Sequence, residues 1–238
     1  MPEWFEEAFR ADYLRVYPHR DDASAAAEIA DLAGRVPGLA PGRLVLDLGC
    51  GAGRHLRALG AAGVRAVGGD LSADLLAEAR RLGAKCIIRC DNRALPFRGG
   101  AFDAVLLLFT SFGYLPTEAG DASVLGEAAR VLARGGGLLL DLPDARSLRE
   151  GLVPRSERSV DGATVVEERR LVDGGRRVEK KVTIREGGVE RGWTESVRLY
   201  EPAEVEAMAA GAGLVPASRL AALAGAPRCV LVLRKEAP

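Results

Sequence analysis

The sequence predicts an α/β protein with a mostly parallel sheet and a small antiparallel β insertion. Short apolar strand segments alternate with helical segments over residues 40–142, a pattern typical of βαβ units. Between residues 152 and 199 the pattern changes to β-branched and charged residues separated by glycine turns, which favours an antiparallel meander. An apolar strand that ends in alternate glycines, at residues 44–53, indicates a ligand-binding turn.

The predicted elements follow from hydrophobic periodicity and from helix-ending residues. We expect the core strands at 43–48, 64–69, 85–89, 102–108, 138–142, 214–220 and 229–233, and insertion strands that include 164–172 and 177–185. We expect helices over most of 1–36 and at 53–62, 72–82, 119–132 and 202–211, with Ser72 as a cap. The chain then divides into four parts: 1–36, 37–150, 151–199 and 200–238.

Composition and charge limit the classes of function. The chain has 238 residues, and 33 lysines and arginines balance 33 aspartates and glutamates. The sequence contains no basic stripe, so we do not expect a nucleic-acid partner. It contains no apolar run near the roughly 20 residues of a membrane span and no secretory signal pattern, so we expect a cytoplasmic protein. The four cysteines and two histidines lack the spacing of a metal site.

The segment Asp47-Leu48-Gly49-Cys50-Gly51-Ala52-Gly53 is the most informative motif. Alternate glycines let the backbone turn tightly and approach a ligand closely. A carboxylate at Asp47 would repel the pyrophosphate that a dinucleotide places at the helix N-terminus. S-adenosylmethionine has no phosphate and carries an ammonium and a sulfonium, so Asp47 favours this cofactor, with capping of the turn as the alternative.

Polar residues also follow the second and third strands. Asp70 lies 21 residues after Gly49 (70 − 49), where an acid accepts hydrogen bonds from ribose hydroxyls. Its alternative role is to cap the next helix, although Ser72 is available for that. Asp91 and Asn92 are interpreted as contacts to an adenine edge, with an ordinary loop acid as the alternative.

These motifs resemble those of class I S-adenosylmethionine-dependent methyltransferases. The similar segments are 47–53 (first motif), Asp70 (ribose-binding acid), Asp91 with Leu95-Pro96-Phe97 (third strand), 102–105 (fourth strand) and 130–137 (turn before the fifth). The resemblance implies a Rossmann-like sheet of seven strands with the last one antiparallel, helices on both faces, and S-adenosylmethionine as the cofactor.

A narrower resemblance concerns enzymes that act on small molecules, among them amino-sugar N-methyltransferases. It depends on the segment 109–115, on Tyr17-Pro18-His19-Arg20 and on the inserted meander. It implies that residues 1–36 form a lid, that residues 151–199 cover the acceptor pocket, and that Tyr17 and Arg20 lie over the methionine end of the cofactor. A histidine that some sugar-amine enzymes have after the fifth strand is missing from 142–146, which argues against that acceptor.

Methyl transfer needs alignment and a dry cavity more than a fixed set of catalytic groups. We expect the acceptor to be a small-molecule amine or hydroxyl, and a hydroxyl would benefit from a general base. His19 and Tyr17 are the candidate catalytic residues, and His55 is interpreted as a packing residue. The predicted cofactor-binding residues are Tyr17, Arg20, Asp47, Gly49, Cys50, Gly51, Gly53, Asp70, Leu71, Asp91, Asn92 and Phe109.

Two other functions stay open. One is methylation of RNA or protein, which is not favoured because residues 109–112 lack an Asn/Asp-Pro-Pro-aromatic motif. The other is a non-catalytic module that only binds S-adenosylmethionine. The exposed strands of the insertion are a candidate surface for a homodimer.

Overall fold

The computed structural model describes residues 3–17, 21–220 and 227–236, and these form two sheets with surrounding helices. The helices are α1 (Trp4–Ala8), α2 (Ala11–Val16), α3 (Asp22–Leu32), α4 (Arg54–Ala61), α5 (Ala73–Arg81), α6 (Glu118–Val131), α7 (Ala145–Glu150) and α8 (Pro202–Gly211). The strands of the larger sheet are β1 (Leu44–Leu48), β2 (Arg65–Asp70), β3 (Ile87–Arg89), β4 (Phe102–Leu107), β5 (Leu132–Pro143), β10 (Leu214–Leu220) and β11 (Arg228–Lys235). The smaller sheet contains β6 (Arg155–Val160), β7 (Ala163–Val172), β8 (Arg177–Glu186) and β9 (Val189–Arg198).

The larger sheet has the strand order β10-β11-β5-β4-β1-β2-β3. Strand β1 pairs in parallel with both β2 and β4, whereas β11 runs antiparallel to β5. The seven-stranded Rossmann-like sheet with an antiparallel last strand is therefore confirmed. Because the chain continues on opposite sides of β1, a crevice forms at the carboxyl ends of β1 and β4, the usual place for a ligand in such sheets.

Both faces of the larger sheet are covered, which explains the continuous apolar runs of its central strands. One face presents Leu46 and Leu107 to the cluster that includes α6 and α8. The other presents Val45 and Leu106 to residues of α3 and α4. The alternation of the two clusters along each strand follows the period of two that a strand imposes. Among the described residues, no helix is long and apolar enough to cross a membrane.

Strand β5 starts six residues earlier than the sequence predicts. Its pairing with β4 shifts register between Phe102 and Ala104, so Leu132 pairs with Phe102 before Gly137 pairs with Ala104. The glycines that lie between have no apolar side chain, and periodicity detects only the part from Leu138 onward. A Cβ on Gly137 would lie 2.5 Å from the carbonyl oxygen of Pro37, which explains the glycine there.

The smaller sheet packs against the N-terminal helices. Val16 and Tyr17 form an apolar cluster with residues of β7 and β8, including Val165 and Val182. Ion pairs lie beside this cluster, among them Arg15 with Glu186 at 2.6 Å. The N-terminal segment is therefore in contact with the insertion.

Candidate active site

A cavity of about 550 Å³ lies at the carboxyl ends of the parallel strands. Its wall combines the glycine turn after β1, the turns after β2 and β3, the loop after β4, and the N-terminal helices. The crevice that the strand order creates thus coincides with the motifs that the sequence predicts for the cofactor. Of the predicted residues, the cavity is lined by Tyr17, Gly49, Cys50, Gly51, Asp70, Leu71, Asp91, Asn92 and Phe109.

The glycine turn requires glycine for two separate reasons. Gly49, Gly51 and Gly53 have φ values of 75°, 52° and 76°, in the left-handed region that favours glycine. A Cβ on Gly49 would also lie 2.5 Å from the Oγ of Ser111 in the loop after β4. Gly53 is the N-cap of α4 and does not line the cavity. Its part in the site is to start the helix.

Asp47 lies at the end of β1, behind the cavity wall and not in it. Its side chain is buried, and its Oδ2 has no hydrogen-bond partner among the described residues. Burial raises the pKa of its carboxyl to about 6, while neighbouring His55 and Arg54 oppose that rise. A buried carboxylate without a full set of partners is costly. This orphaned oxygen fits a site that receives a cationic group, as the ammonium of S-adenosylmethionine would be.

Asp70 connects the turns after β1 and β2. Its carboxylate accepts hydrogen bonds from the backbone N–H of Gly51 and of Ser72, both at 2.8 Å. Burial raises the pKa of this carboxyl. A carboxylate can accept about four hydrogen bonds, so it retains capacity for a ribose hydroxyl. Ser72 caps α5 by accepting from the N–H of Leu75, as the sequence predicts.

Asp91 and Asn92 lie on the wall after β3. Asp91 accepts a hydrogen bond from the backbone N–H of Arg93 at 2.8 Å and forms an ion pair with its guanidinium at 2.6 Å. The guanidinium of Arg93 keeps the pKa of Asp91 below its ordinary value. Asp91 is therefore an ionised acceptor at this end of the cavity.

His55 is buried and belongs to a polar cluster as well as to the core. Its Nε2 lies 2.7 Å from Oε2 of Glu28, and the guanidinium of Arg54 lies 3.2 Å from the same oxygen. The imidazole also lines the cavity, 5.8 Å from the ring of Phe109. The interpretation as a packing residue missed Glu28, because a partner 27 positions away leaves no local signal in the sequence.

Aromatic side chains of the N-terminal helices form one wall of the cavity. Phe9 stacks on Tyr114 of the loop after β4, with ring centroids 5.7 Å apart. The ring centroids of Tyr13 and Tyr17 are 4.8 Å apart. The phenolic oxygen of Tyr17 is bound within the smaller sheet, 2.6 Å from Nζ of Lys180. The predicted residues His19 and Arg20 lie outside the described residues.

The insertion reaches the cavity indirectly. None of the lining residues within the described part of the chain comes from β6, β7, β8 or β9. It contacts residues that do line the cavity: Tyr17 packs on the smaller sheet, and Arg177 of β8 donates to the carbonyl oxygen of Leu115 at 2.9 Å. Direct covering of an acceptor pocket by residues 151–199 stays a prediction.

Comparison with known proteins agrees with this geometry. Residues 45–136 match a family model described as a methyltransferase domain. A segment of 100 residues is 37% identical to a probable tRNA methyltransferase 9B of Mus musculus. That match covers 42% of this chain but only 22% of the relative, so the chain spans about a fifth of that protein's length.

Two further relatives are matched over most of their length. A dTDP-3-amino-3,4,6-trideoxy-α-D-glucopyranose N,N-dimethyltransferase of Streptomyces venezuelae is 32% identical over 206 residues, which cover 82% of this chain and 84% of the relative. The S-adenosylmethionine-bound structure of an amino pentose methyltransferase from Micromonospora echinaspora, involved in calicheamicin biosynthesis, superposes with a TM-score of 0.68 at 27% identity. The superposition covers 89% of this chain and 91% of the amino pentose methyltransferase. The chain therefore belongs to the class I S-adenosylmethionine-dependent methyltransferases and uses that cofactor.

Proposed function

We propose that this methyltransferase acts on an amine nitrogen of a small molecule, with amino sugars as the first class to test. The observation that carries the proposal is the similarity to the dimethyltransferase of a dTDP-3-amino sugar, which covers 82% of this chain and 84% of the relative. The similarity to the probable tRNA methyltransferase, in contrast, covers 100 residues, which is less than the length of the predicted cofactor-binding core. The first similarity extends over regions beyond that core, where acceptor recognition varies within a shared fold.

The cavity supports a small acceptor. Pockets for small molecules measure about 300–1,000 Å³, and this one measures about 550 Å³. Aromatic rings of α1 and α2 lie on its wall, so the acceptor enters between the N-terminal helices and the sheet. Aromatic faces suit the C–H face of a sugar and attract a protonated amine before it loses its proton.

An amine requires less of the site than a hydroxyl does. Of the two predicted catalytic residues, Tyr17 has its phenol bound to Lys180, and His19 lies outside the described residues. A neutral amine needs no base to attack carbon, whereas a hydroxyl does. When bound, the cofactor supplies an electrophilic methyl group on its sulfonium. With the cofactor held in the cavity, its methyl group would pass to the amine nitrogen, S-adenosylhomocysteine would be the leaving group, and the methylated ammonium would lose a proton to water.

The roles of the site residues follow from their positions. We assign Asp47 and the glycine turn to the methionine end, Asp70 to the ribose, and Asp91 with Asn92 to the adenine. Tyr17 is assigned to the methionine end from the N-terminal side, and the same assignment of Arg20, which lies outside the described residues, rests on the resemblance alone. Together these residues would hold the cofactor in the cavity at the carboxyl ends of β1 and β4, which the aromatic wall also lines.

The test measures S-adenosylhomocysteine formation with three acceptors. These are dTDP-3-amino-3,4,6-trideoxy-α-D-glucopyranose, its 3-hydroxy analogue and total tRNA. We expect product with the amine alone, and mass spectrometry should show added methyl groups. Methylation of tRNA, or of the hydroxyl analogue in preference to the amine, would overturn the proposal. S-adenosylmethionine binding without turnover on these acceptors and a wider amine panel would instead support a non-catalytic module.

A further inference from the structure

The loop after β4 contains an unusual backbone. Phe109 and Thr110 have φ values of 51° and 68°, so two consecutive residues other than glycine adopt the left-handed conformation. Each such residue costs about 1–2 kcal/mol, more for a β-branched side chain such as that of Thr110. Strain of this kind persists only where the surrounding structure enforces it, and it is typical of functional sites.

One residue of β5 binds the backbone of both strained positions. The carboxylate of Asp141 accepts a hydrogen bond from the N–H of Phe109, and its carbonyl oxygen accepts one from the N–H of Thr110, both at 2.9 Å. Asp141 is fully buried. Its carboxylate also accepts a hydrogen bond from Nε of Arg228, at the start of β11. Arg228 donates in addition to the Asp141 carbonyl at 2.9 Å and to Oγ1 of Thr110 at 3.0 Å.

The strained loop is in contact with the cofactor site on two sides. The ring of Phe109 lines the cavity, with the guanidinium of Arg54 at 4.2 Å and that of Arg228 at 5.3 Å from its centroid. On the other side, Ser111 lies so close to Gly49 that a Cβ at position 49 would be 2.5 Å from the Oγ of Ser111. A change of backbone conformation at Phe109 and Thr110 would therefore move both the wall and the glycine turn.

We propose that Asp141 and Arg228 are positioning residues that hold the loop 109–111 in the left-handed conformation that cofactor binding requires. They act through Phe109 and Ser111. Asp141 interrupts the apolar run of β5, and Arg228 lies 179 positions after Gly49 (228 − 49), so the C-terminal strand contributes to a site whose motifs lie in the first half of the chain.

The test is a double-mutant cycle read by calorimetric titration with S-adenosylhomocysteine. Arg228→Met should weaken binding by about tenfold or more, because several charge-assisted hydrogen bonds are lost. Thr110→Gly alone adopts a positive φ without strain but loses the hydrogen bond from Arg228 to Oγ1, so it should reduce affinity less than Arg228→Met does. In the Arg228→Met background, Thr110→Gly should restore most of the lost affinity. Arg234→Met, at an exposed position of the same strand, is the matched control and should bind normally.

A structural role alone would lower the melting temperature without rescue by glycine. Wild-type affinity in folded Arg228→Met, or an equal effect of Thr110→Gly in both backgrounds, would overturn the proposal. Arg228→Lys keeps a charge and fewer donors, and it serves if Arg228→Met does not fold. It should show a smaller loss with the same rescue, and a loss that Thr110→Gly does not restore would equally overturn the proposal.

Discussion

Two buried carboxylates, Asp47 of the larger sheet and Glu167 of the smaller sheet, have opposite surroundings. In the larger sheet, Asp47 has an oxygen without a partner among the described residues, and burial raises the pKa of its carboxyl. In the smaller sheet, burial likewise disfavours ionisation of Glu167, but the charges of Lys180 and Arg169 outweigh it and lower the pKa. Glu167 is therefore satisfied by neighbouring cations, whereas Asp47 retains an oxygen without a described hydrogen-bond partner beside the cofactor site.

A glycine beside each sheet gives a second comparison, this time of the space around the backbone. Gly49 at φ 75° in the cofactor turn and Gly188 at φ 79° in the β8–β9 hairpin have nearly the same φ, in the left-handed region. A Cβ on Gly49 would meet Ser111 at 2.5 Å, whereas a Cβ on Gly188 would meet nothing within 4 Å. Alanine substitutions at these two glycines therefore distinguish the cost of backbone strain, common to both, from the cost of a steric clash, expected only at Gly49.

The largest expected effect is that of Gly49→Ala. We expect cofactor affinity to fall by about a hundredfold or more, because the new methyl group pushes Ser111 and the loop after β4 out of place. Gly188→Ala carries the same backbone strain of about 1–2 kcal/mol and should bind the cofactor like the wild type. Calorimetric titration with S-adenosylhomocysteine and thermal unfolding measure both variants. Equal affinities for the two would show that the contact with Ser111 does not matter.

Substitution of Asp47 should produce a trade-off between stability and cofactor binding. A pKa raised from 3.8 to about 6 means that the folded state holds the proton more tightly than the unfolded state. The contribution to stability is present below pH 3.8 and is lost as the pH rises through about 6. Asp47→Asn should therefore increase the free energy of unfolding of the cofactor-free protein at pH 7.5 by up to about 3 kcal/mol, and change it little at pH 4.

The same Asp47→Asn variant should bind S-adenosylmethionine about tenfold or more weakly, since the buried negative charge beside the cationic end of the cofactor is lost. Chemical denaturation at the two pH values and calorimetry measure the two effects. A variant that is destabilised at pH 7.5, or that binds normally, would contradict the assignment of Asp47 to a cationic ligand group.

Glu167→Gln should have the opposite sign. A lowered pKa means that the contribution of Glu167 to stability is present above its ordinary value of 4.5 and is lost as the pH falls through the folded-state pKa. Removal of the charge leaves Arg158 and Arg169 without their carboxylate partner. We expect a loss of about 3 kcal/mol at pH 7.5 and a smaller loss near pH 3, measured by the same denaturation series. If both Asp47→Asn and Glu167→Gln changed the free energy of unfolding at pH 7.5 in the same direction, the contrast between the two carboxylates would be wrong.

Some parts of the site could be predicted from the sequence, and others could not. The glycine turn and Asp70 were predictable, because their roles depend on local backbone geometry within a recognisable strand–turn–helix unit. The partners Glu28 of His55 and Arg228 of Asp141 were not, since they are brought together only by packing of distant elements. Asp141 did leave a signal, as an acid inside the apolar run of β5, and buried acids of this kind require a partner.

The fold of the insertion was also predictable only in part. Alternation and glycine turns predicted a meander of three or four strands, and four are present. Nothing local showed that the sheet packs on α2, because contacts such as Arg15 with Glu186 join residues 171 positions apart. The insertion meets the cavity wall at Tyr17 and, through Arg177, at Leu115.

Tyr17→Phe has the smallest expected effect and tests how the two sheets are connected. The phenolic oxygen accepts a hydrogen bond from Lys180 at 2.6 Å and lies 3.2 Å from Oε1 of Glu195, to which it can donate. Loss of these bonds should lower the free energy of unfolding by about 1 kcal/mol. The ring stays in place, so we expect kcat and cofactor affinity to change by less than about threefold. Tyr17→Ala, which also removes the ring, is the comparison and should impair both. A fall in kcat of about a hundredfold in Tyr17→Phe, with cofactor affinity unchanged, would assign the phenol the catalytic role that the sequence predicts and would mean that Lys180 tunes it.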